Sequence, residues 1–446
     1  DDAVLGDNGS MGFNASGGLT SMRSTDGSLG GGDVIDAGAG NNAVFGGAGA
    51  DEILTGAGDD LILGDSGSGS FGGSTTPSFV SATFLGVGGD DLIDGGEGVN
   101  HVMGGAGGDT VTTGGGDDVV YGDNADFYFS GGRLVQGVST DTTPATGGDD
   151  DLNAGDGNNV VVAGVGNDTV TTGSGSDVIL GDNGTVTLDG SGTPVQASTT
   201  QPGLGGNDTL NGGEGDNTVL GGSGGDTVTT GSGSDTLLGD NGTVTFSGGV
   251  VQQVSTTDTS NGTGGNDTLN GGAGNDSLLG GPGGDTLTGG DGDDILLGDD
   301  GTIVWTGASS ATVTGGISGV GGNDTLYGDS GDDLLIGGAQ DDTLYGGPGL
   351  DVLFGDGGWV FLSGPGSLTA ETLPGSNGGS DTLDGGEGHD VLFGSGGGDT
   401  FVGSFPEDVM IGLYGHVVIE GGRLVSVFPP IQMLLGNPLF QGFGGF

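Results

Sequence analysis

The stretch Leu204 to Gly242, LGGNDTLNGGEGDNTVLGGSGGDTVTTGSGSDTLLGDNG, leaves this chain few ways to fold. An acidic or amide residue recurs in it every nine positions, at Asp208, Asn217, Asp226 and Asp235. Two residues after each stands a large aliphatic side chain: Leu210, Val219, Val228 and Leu237. Before each lies a glycine-rich turn such as Gly221-Gly222-Ser223-Gly224-Gly225. A chain written this way needs no single large core, because each coil buries its apolar residue against its neighbours.

Glycine supplies 118 of 446 residues. Such a composition with few aromatics ordinarily signals disorder. The strict nine-residue phase argues against it, since a disordered chain has no reason to hold valine, leucine and isoleucine in register. Charge adds a second constraint: 61 Asp plus Glu face three Lys plus Arg, a formal net charge of −58. A chain with that imbalance repels itself. It lacks the basic patches that nucleic acids and anionic membranes require, so neither is an expected partner. No apolar run is long enough to span a membrane as a helix. The acid reads either as a solvated or halophilic surface or as a set of cation ligands. Its recurrence at one turn position favours ligands.

The spelling G-G-x-G-x-D-x-U-x, with U apolar, resembles the repeats-in-toxin (RTX) family of calcium-binding parallel β-rolls. The likeness runs from Asp2 to about Ile411. It implies an all-β fold, a parallel β-roll or β-solenoid with many Ca2+ ions, each held between one turn and the turn two further along. Odd turns would then line one side of the roll and even turns the other. Calcium suits the motif chemically, because it takes six to eight oxygens and accepts backbone carbonyls beside carboxylates.

A longer period overlies the nine. The first ligand position of each unit falls at Asp33, Asp91, Asp150, Asp208, Asp267, Asp324 and Asp381, spacings of 57 to 59 residues. This divides the chain into a partial unit (1–32), units at 33–90, 91–149, 150–207, 208–266, 267–323 and 324–380, a degenerate unit at 381–411, and a tail at 412–446. Each unit holds four nonapeptide turns, a G-D-N-G-like corner, and a segment that reads as a β-hairpin, such as Thr243 to Thr257. A lone hairpin is marginal, so these are expected to pack on the roll or on a neighbouring molecule. Arg133 and Arg423 both follow a hairpin turn. Each is either a solubilising tip or a cation reaching an acidic turn of another subunit.

The ligand positions are not equal. Position three is Asp51, Asp109, Asp168, Asp226, Asp285, Asp342 and Asp399. Position four is Asp60, Asp118, Asp177, Asp235, Asp294, Asp351 and Asp408. Position two is Asn42, Asn100, Asn159 and Asn217 in the first four units and Asp276, Asp333 and Asp390 in the last three. Asparagine offers an oxygen but no charge, so weaker or missing ions are expected there, and less dependence on calcium in that part of the chain.

Catalytic signatures are scarce. There is no H-E-x-x-H, no lysine for a phosphate loop, and no cysteine. His101, His389 and His416 are far apart and read as spacing residues. Gly221 to Gly225 formally matches a serine-hydrolase elbow, a chance match in so glycine-rich a repeat. Threonine-rich strands such as Thr227 to Thr230 suit an exposed strand, with an outward ice- or sugar-binding rank as the remoter reading. No charge follows Arg423, and the tail carries Phe428, Ile431, Leu434, Leu435, Phe440, Phe443 and Phe446. It reads as a cap, a C-terminal secretion signal or an intermolecular contact.

The expectation is a non-enzymatic, secreted, calcium-loaded rod that self-associates head to tail into a filament, surface layer or matrix. It opens at Asp2 with what aligns as the fourth turn of a unit, so the chain either begins inside a longer protein or presents an open end. Alternatives are the stalk of a larger adhesin and the secretion and folding module of an exported enzyme or toxin. A cell-surface or matrix partner is left unidentified.

Overall fold

The computed structural model describes residues 1–428 except 259, 261, 308, 317–318, 374–377, 403–407, 413–414 and 421–422. Its described elements are strands and turns without a helix, gathered into three sheets of 14, 15 and 16 strands. The all-β roll read from the nonapeptide is therefore the fold.

The repeat Leu204 to Gly242 shows how it is built. Thr209–Gly213 and Thr227–Thr230 belong to the 14-stranded outer sheet, and Thr218–Gly222 and Thr236–Asp240 to the 15-stranded central sheet. Within a unit, consecutive strands of one sheet pair in parallel eighteen residues apart, as in Thr209↔Thr227 and Thr218↔Thr236. Two nonapeptides thus make one coil. The turns between sheets need glycine: Gly222 sits at φ 119° and Gly224 at φ 128°, left-handed values that glycine adopts without a Cβ penalty.

The apolar residue of every nonapeptide points between these two sheets. Leu210, Val219, Val228 and Leu237 are all buried in that core, with Ile53, Val102, Leu269 and Leu392 along its length. A second core lies on the other face of the central sheet. There Leu63, Tyr121, Val162, Leu220, Leu238 and Phe354 meet the third sheet through Phe127, Val186, Val244, Val254, Ile303 and Val360. The roll is thus three layers deep rather than two. The central strands are buried on both sides, and all five residues of Thr218–Gly222 are inaccessible, whereas Thr227–Thr230 alternates exposed and buried. Strands covered on both faces read as continuous apolar runs, such as Val160-Val161-Val162; one-sided strands alternate, as in Thr169-Val170-Thr171.

The third sheet settles where the inserted segments go. Gly242–Ser247 and Val250–Thr256 form a hairpin whose outer strands pair with Pro194–Thr199 on one side and Gly301–Gly307 on the other. Every described hairpin joins the next this way, giving one antiparallel sheet of 16 strands that covers the roll. A hairpin unstable alone gains two neighbours and a hydrophobic floor. Arg133 serves that sheet: its Nη1 donates to the Ser191 carbonyl at the next hairpin tip, 2.7 Å away. Arg133 thus makes a contact within the chain. The side chain of Arg423 lies outside the described residues, as do those of Phe428, Ile431, Leu434, Leu435, Phe440, Phe443 and Phe446.

Candidate metal centres

The acidic positions of the nonapeptide fall into two rows, one along each edge where the outer and central sheets meet. Asp33, Asp51, Asp91, Asp109, Asp150, Asp168, Asp208, Asp226, Asp267, Asp285, Asp324, Asp342, Asp381 and Asp399 precede the strands of the outer sheet. Asn42, Asp60, Asn100, Asp118, Asn159, Asp177, Asn217, Asp235, Asp276, Asp294, Asp333, Asp351, Asp390 and Asp408 precede those of the central sheet. Odd and even turns are thereby sorted to opposite edges.

Along each row the side chains form a ladder. The backbone N–H of Asp208 donates to Asp226 Oδ1 at 2.8 Å, that of Asp226 to Asp267 Oδ1 at 2.7 Å, and that of Asp267 to Asp285 Oδ1 at 2.8 Å. The even row repeats this, for example Asp276 N–H to Asp294 Oδ1 at 2.8 Å. Only one carboxylate oxygen is used. Oδ2 of Asp51, Asp91, Asp109, Asp150, Asp168, Asp208, Asp226, Asp267, Asp285, Asp324, Asp342 and Asp381 is buried without a hydrogen-bond partner, and so is Oδ2 of Asp276, Asp294, Asp333, Asp351 and Asp390. A buried carboxylate oxygen left unpartnered is costly, and so regular a set of them calls for a cation.

The space beside each orphan is a cradle. A Cβ built on Gly104 would lie 2.3 Å from Asp109 Oδ2 and 2.3 Å from the Gly122 carbonyl oxygen. Gly239 faces Asp267 Oδ2 and the Gly280 carbonyl in the same way, at 2.2 and 2.6 Å. Glycine therefore leaves a gap lined by a carboxylate oxygen and a main-chain carbonyl from the next coil. Among the described residues no three acidic or histidine side chains converge on one point. The donor set is carboxylates supplemented by carbonyls, all oxygen, which fits Ca2+ and excludes nothing it needs. Calcium bound there would supply the positive charge that the stacked carboxylates lack. Asp51, Asp109, Asp226 and their row-mates would hold it, and the turn carbonyls would complete its shell.

Electrostatics without the ion point the same way. Burial first, then neighbouring carboxylates, push Asp91 up to about 8 and Asp285 to about 9; Asp208 reaches about 10 through burial and Asp226, Asp168 and Asp182. Ionised together and unneutralised, these groups oppose the fold.

One set of acidic residues was not among the expected ligands. The corner aspartates Asp7, Asp65, Asp123, Asp182, Asp240, Asp299 and Asp356 form a third inward row, tying each corner to a turn of the next coils: Asp7 Oδ2 accepts the Ala48 N–H and Asp65 Oδ2 the Ala106 N–H, both at 2.6 Å. At Asp240 the matching position is Pro282, which has no N–H, and Oδ2 is left buried and unpartnered. The signal was legible, since an aspartate recurs in every G-D-N-G-like corner. His101 packs edge-on against Phe129 and Phe127, ring centroids 5.2 and 6.4 Å apart, and burial lowers its pKa to about 4.

A family profile described as the RTX calcium-binding nonapeptide repeat matches residues 29–62, 36–70, 83–111, 94–126, 144–179, 171–192, 202–237, 254–287, 275–302, 318–353 and 376–405, well over half of the chain. No curated protein matches it significantly. Ladder, orphaned oxygens, glycine cradles and repeat profile agree, and the chain belongs to the RTX family of calcium-binding nonapeptide-repeat proteins, with multiple Ca2+ sites.

Proposed function

We propose that this chain is an extracellular structural rod that folds when it meets calcium and then stacks end to end. The observation that carries the reading is continuity: all three sheets run the length of the described chain, and the central sheet keeps parallel register from Ala3↔Ala43 to Phe393↔Ile411. A parallel register this regular could be continued by the main-chain donors and acceptors of a further copy, and a head-to-tail contact of that kind propagates. The net charge of −58 opposes such stacking until ions neutralise the edges. Calcium would then gate folding and association together. Repeats of this family are typically exported by type I secretion into media where calcium is millimolar, which suits weak all-oxygen sites. The uncharged tail from Phe428 to Phe446 is a further candidate contact.

The same continuity suits a calcium-stiffened stalk of a larger adhesin, or the folding module of an exported enzyme or toxin. The test is a calcium titration of the purified chain read by circular dichroism and negative-stain microscopy. A coil-to-β transition with fibres supports the filament. The same transition with isolated rods at millimolar calcium removes it and leaves the stalk or module.

A further inference from the structure

The two edges differ in a way the family motif does not explain. On the odd edge every position is aspartate, and the cradles are glycine-lined except beside Asp168, where Ala163 holds the position. On the even edge this holds only from Asp276 onward.

Upstream, two substitutions recur together. Asn42, Asn100, Asn159 and Asn217 stand where aspartate is expected, and each turns its amide back onto its own turn. Asn42 Nδ2 donates to the carbonyls of Gly38 and Gly40 at 3.0 and 2.8 Å, and Asn217 Nδ2 to those of Gly213 and Gly215 at 3.4 and 2.9 Å. Asn100 and Asn159 make the same pair of bonds at 3.2 and 3.3 Å. Turn carbonyls that would face a cation face an N–H donor instead.

The second substitution fills the cradle. Thr55, Thr113, Thr172 and Thr230 occupy the turn position held by Gly289 and Gly346 further along. A Cβ built on Gly289 would lie 2.3 Å from Asp294 Oδ2, and one on Gly346 2.4 Å from Asp351 Oδ2, so a side chain there enters the space a cation would use. The threonine hydroxyls donate to the next coil: Thr55 to Gly95 O at 2.8 Å, Thr113 to Ala154 O at 3.0 Å, Thr172 to Gly212 O at 2.8 Å and Thr230 to Gly271 O at 2.8 Å. The remaining aspartates of this stretch, Asp60, Asp118, Asp177 and Asp235, also keep an unpartnered Oδ2, but it faces a threonine side chain in place of the glycine gap beside Asp276, Asp294 and most of the odd edge. From Asn42 to Asp235 each consecutive pair of ligand positions holds one carboxylate, against two in every pair of the odd edge.

We infer that the even edge from Asn42 to Asp235 is closed by asparagine amides and threonine hydroxyls in place of calcium, so that ions fill the odd edge throughout and the even edge only from Asp276. Amide hydrogens and a hydroxyl do there, within the chain, what an ion does elsewhere: they meet carbonyl oxygens that point into the turn. The first four units keep one calcium-independent edge, and the last three have none.

Reciprocal exchange tests this on the full chain. Ions are counted by equilibrium dialysis with Ca2+ and by native mass spectrometry for the natural chain, for N217D/T230G and for D276N/G289T. The double variant N217D/T230G is expected to gain one or two ions, and D276N/G289T to lose one or two, with unchanged circular dichroism at saturating calcium. An unchanged count in N217D/T230G, the site having been loaded already, overturns the inference. Should a variant fail to fold, anomalous diffraction from Tb3+-soaked crystals of the natural chain decides. Terbium confined to the odd edge and to the even edge beyond Asp276 supports the assignment, and terbium between Asn42 and Asp235 overturns it. Loss of the whole rod reading would show separately, as the absence of terbium or calcium from both edges.

Discussion

The edge that carries Asp51, Asp109 and Asp226 and the edge that carries Asn42, Asn100 and Asn217 are written in the same nonapeptide and joined by the same strands. Both keep buried carboxylate oxygens with no partner in the chain, but one stacks a carboxylate at every turn. The other, over its first four units, alternates carboxylate with amide and sets threonine where glycine would leave a gap. On the inference drawn above, the demand for cation is local. A turn that supplies its own N–H or O–H donors lays its strands in the same register as one that does not, since Thr218↔Thr236 and Ile295↔Leu334 pair alike.

The largest effect expected is from removing calcium at neutral pH. Metal-binding free energy in such a site is folding free energy, so chelation is expected to abolish most far-ultraviolet β signal. Hydrogen exchange in partially loaded samples sharpens the comparison: protection should survive longest in even-edge amides between Asn42 and Asp235. Equal loss on both edges would break it.

Acid should partly replace the ion. In the metal-free fold Asp285, Asp267 and Asp91 titrate at about 9, 8 and 8, well above the ordinary carboxylate value, chiefly because they are buried. A group whose folded pKa is raised contributes stability that is fully present below its unfolded pKa near 4 and is lost as pH rises through the folded value. The calcium-free chain should therefore gain β structure as pH falls from about 9 toward 4. Asp118 and Asp177, at about 6, should give their share over a narrower and lower window. A chelated sample that stays coil at pH 4.5 by circular dichroism would contradict this.

Single substitutions come next. Asp226→Asn on the odd edge removes a ligand charge and should raise the calcium midpoint of folding on the order of tenfold, because ligand charge count tunes affinity. Asp177→Asn on the even edge should move it by less than about twofold. Thr172→Ala leaves the Gly212 carbonyl without its hydroxyl donor and should cost about 1 kcal/mol of stability in denaturant melts, with no change in ion count. Arg133→Ala, which loses one exposed bond to Ser191, should change stability by less than about 0.5 kcal/mol. A larger loss at Arg133 than at Thr172 would mean that the hairpin sheet, rather than the edges, governs stability.

Much of this was legible beforehand because the motif states one fact per position. Glycine marks the turn, aspartate the ligand and the aliphatic residue the core, and the unit period places the hairpins. The two ladders follow from the alternation of turns between sheets. What escaped was the third layer. Leu220 and Leu238 looked like ordinary neighbours of Val219 and Leu237, yet they serve a separate core against Val244 and Val254. The apolar triplets at Val160 and Val178 carried that information, but only a partner sheet gives a second face its meaning. Asp65 and Asp123 escaped for a related reason, since a corner aspartate reads as a turn former until its carboxylate is seen meeting the Ala106 or Val165 N–H more than forty residues on.

The sequence by itself determined the coil: its length, its handover between sheets, its oxygen-only chemistry and its excess of negative charge. Those properties are periodic and local, and each residue states its part without knowing its distant neighbours. Only the tertiary structure decided that the hairpins fuse into a sheet of their own, that the central strands are covered on both faces, and which carboxylate oxygens are left for an ion. Hydrogen-bond satisfaction is a property of pairs far apart in the chain. The threonine at 172 and the carbonyl at 212 become partners only when one coil lies on the next.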